Sequence, residues 1–406
     1  MAKYLRYGVE DKPLSWGCLE NPRLLLGANA LKSKFVCKVY NHFEDLTDRR
    51  ALRRTNYELT EMVFIALCAA ICDANSWADV ERFGKAKLRW LRRYVRLDNG
   101  IPSHDTFGRV FARLDSTEFY SCLQAWASEL AGCLRGESVA LDGKTLRGSF
   151  DTAASQSSLH SVSAWACGLR ICLGVESVDE KSNEIPAVQK LIELLDLEGA
   201  VLTGDAMHCQ KKTCQAVLDK RADFLFFVRG NQPGLRDAIV DYFVQAMDDE
   251  KLDDSIRREK LTEVNRTRSE TRQTQVVACP KNHPVFDQWP GIKSLGQIHR
   301  ERIVDGKVEE ELVTFITSLP PRVRDLSKRA RKHWGIENSQ HHVLDVTFGE
   351  DASRIRKGSG PEVSSAIRRL ALSVLQRDTT IKDTIRGKRK RCGWDDQAFD
   401  RLIAAF

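Results

Sequence analysis

The chain has 406 residues, of which 42% are hydrophobic and 29% are charged, with a formal net charge of +7. This length and balance exclude a disordered or fibrous polypeptide and predict two or three globular domains. The longest apolar run, Met62 to Cys72, is too short to cross a bilayer, and the N-terminus lacks the layout of a signal peptide. We therefore expect a cytoplasmic protein with no membrane partner.

The first third of the chain is predicted to be helical after an irregular start. Residues 1–45 mix proline, glycine and charges without a sustained period, which indicates an irregular N-terminal arm. Residues 46–135 carry apolar side chains at three- and four-residue steps, so we expect an all-helical domain there. Ser103 is expected to cap one of its helices. We interpret this domain as DNA-binding, although a generic helical bundle has the same pattern.

Positive charge is concentrated in two segments. Basic residues crowd one helical stretch of the predicted domain at Lys85, Arg89, Arg92 and Arg93. Residues 379–406 are predicted to form a basic C-terminal tail, because five of the six residues 386–391 are lysine or arginine. Either segment could neutralise phosphates. The alternatives are a solvated helix face for the first segment and a loose tail for the second.

From residue 136 onward the pattern changes to short extended runs. Three predicted strands come first, at residues 138–141, 162–166 and 169–173, and helices then alternate with strands up to residue 228. This order describes an α/β fold with an RNase H-like core, whose first part we assign to residues 136–234.

The predicted core is interrupted and then resumed. Residues 235–320 contain a polar helix followed by alternating strands, with a hairpin turn expected at Asp305-Gly306. We interpret this segment as a β-rich insertion. Residues 321–378 return to a helical pattern and form the second part of the core.

Acidic residues replace apolar ones at two predicted strand ends. Asp142 follows the apolar run 139–141 and precedes Gly143, where a strand would end. Asp205 closes the run 201–204 in the same way. Because ligands collect at strand ends in an open α/β sheet, the two acids together favour a shared site. Each acid alone could instead be a turn or cap residue.

Glu337 is the third candidate, and the argument for it is helical. An apolar stripe at helical spacing places its carboxylate on the inner face; the stripe comprises Leu326, Ala330, Trp334, Glu337, His341 and Leu344. A metal ion would compensate a buried carboxylate, but so would an ion pair with Arg331 or Lys332. Glu350 and Asp351 are weaker alternatives for a third ligand.

These residues lie in strings that closely resemble the DDE-type insertion-sequence transposases of the ISAs group, which includes the H-repeat-associated proteins. The resemblance covers most of the chain. The strings are residues 100–107, 141–149, 180–186, 204–210, 229–232, 333–338, 344–346 and 350–354. Several such strings in the right order are far more specific than three acids.

The resemblance implies an RNase H-like fold in which Asp142, Asp205 and Glu337 bind two Mg²⁺ or Mn²⁺ ions. It further implies cleavage of insertion-sequence ends, strand transfer into target DNA, a homodimer on DNA and association with the nucleoid. His333 and Asn338 are expected to orient Glu337 or to contact DNA. The other candidate DNA contacts in the matched strings are Lys144, Arg147, Arg229, Asn231, Gln232 and Arg354.

The chain departs from the family in detail. Gln340 and His342 stand where the family usually has an apolar residue and a tryptophan, so local packing beside Glu337 is expected to differ. A tyrosine, arginine, glutamate and lysine signature of a broader related group is absent. Two other functions remain open: a non-catalytic DNA-binding regulator, and a nuclease that hydrolyses DNA without joining it.

Overall fold

The chain folds around one large mixed sheet. The computed structural model describes residues 33–50, 55–150, 157–178, 183–265 and 268–406. The strands are β1 (Ser138–Thr145), β2 (His160–Ala166), β3 (Ile171–Ser177), β4 (Val201–Gly204), β5 (Asp223–Val228), β6 (Arg257–Asn265), β7 (Arg268–Ala278), β8 (Ser294–Val304) and β9 (Lys307–Thr317).

Helices precede, interrupt and follow the strands. The helices before the sheet are α1 (Lys34–Phe43), α2 (Leu59–Ile71), α3 (Trp77–Ala86), α4 (Leu88–Leu91), α5 (His104–Phe111) and α6 (Ser116–Ala131). Those between strands are α7 (Glu184–Leu194), α8 (Lys211–Asp219), α9 (Pro233–Asp248) and α10 (Glu250–Ser255). Those after the sheet are α11 (Val323–Trp334), α12 (His342–Val346), α13 (Gly360–Arg377), α14 (Ile385–Trp394) and α15 (Asp396–Ala404). Across the described ranges, no helix is both long enough and apolar enough to span a membrane.

The strand order places three parallel strands at the centre of the sheet. The order is β3-β2-β1-β4-β5-β9-β8-β7-β6. β1 pairs antiparallel with β2 but parallel with β4, and β4 pairs parallel with β5. The carboxyl ends of β1, β4 and β5 therefore lie at one edge of the sheet. Val201–Gly204 is buried throughout, as expected for a central strand covered on both faces.

The β-rich segment predicted at residues 235–320 contains four strands that continue the central sheet. β9 pairs antiparallel with β5, and β8, β7 and β6 follow outward. β8 and β9 are joined at Asp305 and Gly306, whose φ angles of 48° and 79° are both left-handed. A two-residue type I′ hairpin turn requires positive φ angles at both of its residues, so the predicted hairpin is confirmed.

The hydrophobic core of the helices in residues 34–131 extends into other parts of the described chain. These helices share one core with α13, α14 and α15, and with buried side chains of β1–β3 that include Ala140 and Trp165. Ser103 caps α5 as predicted, because its hydroxyl accepts a hydrogen bond from the Thr106 amide. The opposite face of the sheet packs on α7, α8 and α9. A separate apolar cluster joins α11 to β5 and β7–β9. The helical part therefore supports β1 directly.

The irregular arm predicted for residues 1–45 is partly helical. Residues 34–43 form α1, which Ser33 caps through its side chain. Phe35 and Phe43 of this helix are buried, with ring centroids 5.6 Å and 6.2 Å from that of Trp126. The prediction is wrong here because apolar residues at helical spacing found a partner in α6. Residues 1–32 of the predicted arm lie outside the described residues.

The basic tail predicted for residues 379–406 is also wrong, since α14 and α15 are packed into the helical core. Arg389 is fully buried, and its guanidinium donates to the Ala70 carbonyl at 2.9 Å. Lys388 donates to the Leu375 carbonyl at 3.0 Å. Cations of this segment therefore satisfy carbonyl groups near the C-terminal ends of α2 and α13, where the helix dipole favours positive charge.

Candidate metal centre and active site

Asp142 lies on β1, beside the end of β4. The strand was expected to stop directly after it, but β1 continues to Thr145 because it is paired with β2. The register joins Leu141 to Gly204 on the parallel strand, so Asp142 and Asp205 follow at the same level. Neighbouring strands are about 4.8 Å apart. The sheet therefore brings the two aspartates to one place, as the sequence predicted.

Asp205 is held by a histidine of α11. His333 Nε2 lies 3.2 Å from Asp205 Oδ1, and its Nδ1 lies 3.1 Å from the hydroxyl of Thr203. The His333 side chain is buried, whereas that of Asp205 is 60% exposed. The hydrogen bond to His333 is the main cause that lowers the pKa of Asp205. His333 thus contacts Asp205 instead of Glu337, the carboxylate it was expected to orient.

Glu337 begins a π-helical turn between α11 and α12. The turn spans Glu337–His341, and a π turn holds more residues than an α-helical one. Leu326, Ala330 and Leu344 are fully buried as predicted, but the Glu337 side chain is 68% exposed. The predicted burial of this carboxylate is therefore wrong, because the wider turn breaks the regular spacing on which it rested. Exposure leaves Glu337 free to face a ligand.

One group of side chains has the geometry to hold a metal ion. His341 Nδ1 lies 3.4 Å from Asp142 Oδ2 and 3.6 Å from Glu337 Oε2. One potential ligand atom from each of the three residues lies within 4.8 Å of the others. Asp142 and Glu337, which are remote in sequence, thus lie close enough to share one ligand. Asp205 is outside this group but adjoins Asp142 through the paired strands.

The electrostatics of the site favour a bound cation. Burial raises the pKa of Asp142 to about 8, and the negative charges of Asp205 and Glu337 add to the shift. Burial lowers the pKa of His341 to about 3, so that its ring is neutral near pH 7 and its nitrogen lone pair is available. Mutual repulsion of carboxylates is the situation that a divalent cation relieves.

A fourth carboxylate, Glu184, adjoins the site and had no role in the sequence analysis. Its two oxygens lie 2.8 Å from His160 Nε2 and 3.4 Å from His208 Nε2. A side chain at Gly143 would overlap the Glu184 carboxylate and force it to move, so glycine leaves room for Glu184 beside β1. Glu184 therefore links β1, β2 and the turn after Asp205. The matched string at residues 180–186 was the signal that could have pointed to it.

The weaker alternatives for a third ligand lie elsewhere. Glu350 is fully buried and pairs with Arg369 at 3.1 Å. Asp351 lies 3.7 Å from the Lys144 amine. Neither residue belongs to the group around Asp142, so Glu337 remains the third carboxylate of the site.

Comparison with known proteins identifies the family. Residues 136–373 match the model of the Transposase DDE domain, and residues 40–127 match the DDE_Tnp_1-associated family. The chain belongs to the DDE transposase family. The resemblance drawn from the sequence is therefore confirmed, and the two aspartates and the glutamate all lie within the matched DDE domain.

Curated relatives match over nearly their whole length. The chain is 35% identical to the "Putative transposase YncI" of Escherichia coli O157:H7 over 374 residues, which is 91% of this chain and 95% of the relative. It is 32% identical to the "H repeat-associated putative transposase YhhI" of Escherichia coli strain K12, over 90% of this chain and 98% of the relative. A solved piggyBac transposase synaptic complex with hairpin DNA aligns at a TM-score of 0.41 and 10% identity, covering 93% of this chain and 83% of that one. The family assignment does not depend on this alignment.

Several candidate DNA contacts of this DDE family member instead hold the protein together. Lys144 is 7% exposed, and its amine lies 2.6 Å from Asp345. Asn231 donates to the Ala206 carbonyl at 2.6 Å, and Gln232 donates to the Cys209 carbonyl at 3.2 Å. These two amides therefore fix the backbone that follows Asp205.

The remaining candidates differ in how far their charge is neutralised. Arg229 pairs with Glu311, Lys85 pairs with Glu81, and Arg93 pairs with Asp400. Arg147 is 85% exposed and lies 3.9 Å from Asp351. The other exposed candidates are Arg89, Arg92, Asn338 and Arg354.

The raised pKa of Asp142 makes the stability of the metal-free protein depend on pH. An aspartate in the unfolded chain has a pKa of about 4, whereas folded Asp142 has a pKa of about 8. Between these values the folded state holds the extra proton, so the free energy of unfolding falls as pH rises. Urea unfolding in a chelator should show wild type losing about 2 to 3 kcal/mol relative to Asp142→Asn between about pH 5.5 and pH 8. Parallel pH profiles for the two proteins would contradict the raised pKa of Asp142, which burial and the neighbouring carboxylates cause.

Proposed function

We propose that this chain is a DNA transposase that cuts insertion-sequence ends and joins them to target DNA. The observation that carries the proposal is the half-buried Asp142 carboxylate, which faces Glu337 and adjoins Asp205 in a member of the DDE family. Such a cluster of carboxylates is costly unless a cation neutralises it.

The residues present fit a pair of Mg²⁺ or Mn²⁺ ions. Carboxylate oxygens are the ligands that these hard cations prefer. Asp142, Asp205 and Glu337 would hold the ions. The neutral His341 ring, whose Nδ1 lies near both Asp142 and Glu337, would offer a nitrogen atom as a further metal ligand. An imidazole nitrogen suits Mn²⁺ better than Mg²⁺, so we expect tighter binding of Mn²⁺.

The proposed reaction has two steps. In the first, water attacks a phosphorus at the element end, the bond to the 3′ oxygen breaks, and a 3′-hydroxyl is released. In the second, that hydroxyl attacks a target phosphorus and displaces the target's own 3′ oxygen. Bound divalent ions supply the acidification of the attacking group and the charge stabilisation of the leaving oxygen. His333 keeps Asp205 oriented throughout, because the Thr203 hydroxyl and burial fix its ring.

The architecture supports an RNase H-like core. Antiparallel β3, β2 and β1 are followed by parallel β4 and β5 in the order β3-β2-β1-β4-β5, which is the order expected from three strands and an alternating α and β continuation. β6–β9 would then be the insertion, added at the β5 edge. The helices of residues 34–131 would form the accessory part that contacts DNA.

We further propose double-stranded DNA as the partner, both as element terminal repeats and as target. Joining two element ends requires two active sites at one place, which suggests a homodimer on DNA. The expected location is the bacterial cytoplasm at the nucleoid.

A joining assay tests the function. The purified chain is incubated with labelled duplexes carrying the inverted repeats that flank its reading frame, a target plasmid, and Mg²⁺ or Mn²⁺. The expected result is metal-dependent nicking followed by covalent joining to the plasmid. Nicking without joining would indicate a nuclease, and metal-independent DNA binding without nicking would indicate a regulator.

Glu184→Gln should slow this reaction while leaving DNA binding intact. Loss of the carboxylate frees His160, on the strand paired with β1, and His208, in the turn that follows Asp205. We expect the single-turnover rate at saturating DNA, or the Mn²⁺ affinity by calorimetry, to fall about 10- to 100-fold.

The matched control for Glu184→Gln is Glu176→Gln. Glu176 is similarly buried and pairs with Lys190 at 2.6 Å, away from the two histidines. Its substitution should change neither the rate nor the metal affinity. Equal effects of the two substitutions would mean that Glu184 serves stability only.

A further inference from the structure

A wide cleft separates α5 from the loop that follows α12. Its two walls are residues 104–113 and residues 349–357, and its volume is about 1170 Å³. The walls are joined at one end, where the Ser359 amide donates to the Ala112 carbonyl at 3.2 Å. We name this feature the basic cleft, after the cations that line it: Arg109, Arg113, Arg354, Arg356 and Lys357.

Four exposed cations of the basic cleft are not neutralised by the described residues around them. Within the described part of the chain, Arg109, Arg113, Arg354 and Lys357 form no ion pair, and all four are exposed. Among the described lining residues, Asp105 is the one acid. In the predicted basic stretch, Lys85 and Arg93 are each paired with a carboxylate, whereas Arg89 and Arg92 are exposed without an ion pair among the described residues. The cleft therefore gathers four exposed, unpaired cations in one place.

The basic cleft adjoins the segment that follows β1, the strand of Asp142. The Arg356 guanidinium donates to the Gly148 carbonyl at 3.2 Å and lies over the exposed Phe150 ring. A side chain at Gly148 would overlap carbonyl groups of the loop, so the loop packs tightly on the segment after β1. Arg147 precedes this glycine and is 85% exposed. Positive charge therefore continues from the cleft toward the end of β1, the strand that carries Asp142.

The chemistry of the lining fits a phosphate backbone. Guanidinium groups bind phosphate oxygens in pairs and keep their charge at any physiological pH. The volume exceeds the roughly 300–1,000 Å³ of common small-molecule pockets, which favours a polymer over a metabolite. A row of unpaired cations leading to a metal centre matches a polyanion whose scissile bond lies at that centre.

We propose that the basic cleft binds the sugar-phosphate backbone of duplex DNA beside the scissile phosphate. This inference rests on the proposed function and assigns the DNA path to α5 and the 349–357 loop instead of the predicted helix of Lys85 and Arg93. Arg109 and Arg113 contact the duplex from one wall, and Arg354 and Lys357 contact it from the other.

The test compares two sets of neutral substitutions in the full chain. The cleft variant is Arg113→Gln with Arg354→Gln, one from each wall, and the control is Arg82→Gln with Lys85→Gln on α3. Fluorescence anisotropy follows a labelled duplex between about 50 and 200 mM salt in a chelator, so that no cleavage occurs. We expect the cleft variant to bind about tenfold more weakly, with a salt slope smaller by about 2. The control should retain both values.

All four side chains are exposed, so folding should be unaffected, and thermal melting verifies it. The proposal is overturned if the cleft variant keeps the wild-type affinity and slope, or if it loses self-association without DNA instead. Mn²⁺ calorimetry keeps the two ideas separate. Wild type that binds DNA through the cleft but no metal would sink the proposed function alone, whereas metal binding with an inert cleft would sink this inference alone.

Discussion

Replacing Asp142 with asparagine should abolish nicking and joining while DNA binding persists. Asp142 lies between the other two acids, next to Asp205 on the neighbouring strand and facing Glu337 through His341. An amide keeps the shape of the side chain but removes the charge that a divalent cation requires. We expect the rate to fall about a thousandfold or more, which corresponds to about 4 kcal/mol of transition-state stabilisation.

Two variants make this result specific. Glu337→Gln should behave like Asp142→Asn, and because this side chain is 68% exposed, its loss should leave the melting temperature almost unchanged. Asp345→Asn, near the site but paired with Lys144, should retain most of the activity. The assignment fails if either active-site variant joins DNA at the wild-type rate, or if Mn²⁺ binding survives in both.

Replacing Glu350 with glutamine should destabilise the fold more than any substitution at the metal centre. Glu350 and Arg369 are both fully buried, with 3.1 Å between the carboxylate oxygen and the guanidinium nitrogen. The Ser365 hydroxyl also donates to the same carboxylate oxygen, at 2.9 Å. Removing the negative charge leaves the positive charge of Arg369, on α13, buried without an ion-pair partner. We expect a loss of about 3 to 5 kcal/mol in the free energy of unfolding, measured with urea.

The neighbouring residue gives the matched control. Asp351 is 31% exposed, so Asp351→Asn should change the free energy of unfolding by less than about 1 kcal/mol. Substituting both partners, as Glu350→Leu with Arg369→Met, should recover much of the loss, because an apolar pair leaves no buried charge. A Glu350→Gln protein of wild-type stability that fails to bind Mn²⁺ would instead support Glu350 as a metal ligand.

Local patterns carried most of the correct predictions. A strand-like run that ends at an acid needs only the neighbouring residues to be recognised, so Asp142 and Asp205 were found from their own strands. The Asp305-Gly306 turn was predictable for the same reason, since its left-handed backbone depends on two residues alone. Leu326, Ala330 and Leu344 were correctly placed in the core by helical spacing.

The errors arose where the outcome depended on distant parts of the chain. The π-helical turn at Glu337 breaks the 3.6-residue period, so the inner stripe could not reveal that this carboxylate is exposed. Arg389 was assigned to a basic tail because its partner carbonyl at Ala70 lies 319 residues away. Charge counted along the sequence likewise could not distinguish the paired Lys85 from the unpaired Arg113.

By itself, the sequence determined the family, the two aspartates at neighbouring strand ends and most of the secondary structure, because each of these is written in neighbouring residues or in strings of fixed order. The tertiary structure alone decided that His333 holds Asp205, that Glu184 adjoins the site, and that four unpaired cations line one cleft. These facts depend on which side chains packing brings within a few ångströms. Electrostatic interactions are set by that distance and by burial, and neither can be calculated from positions along a chain.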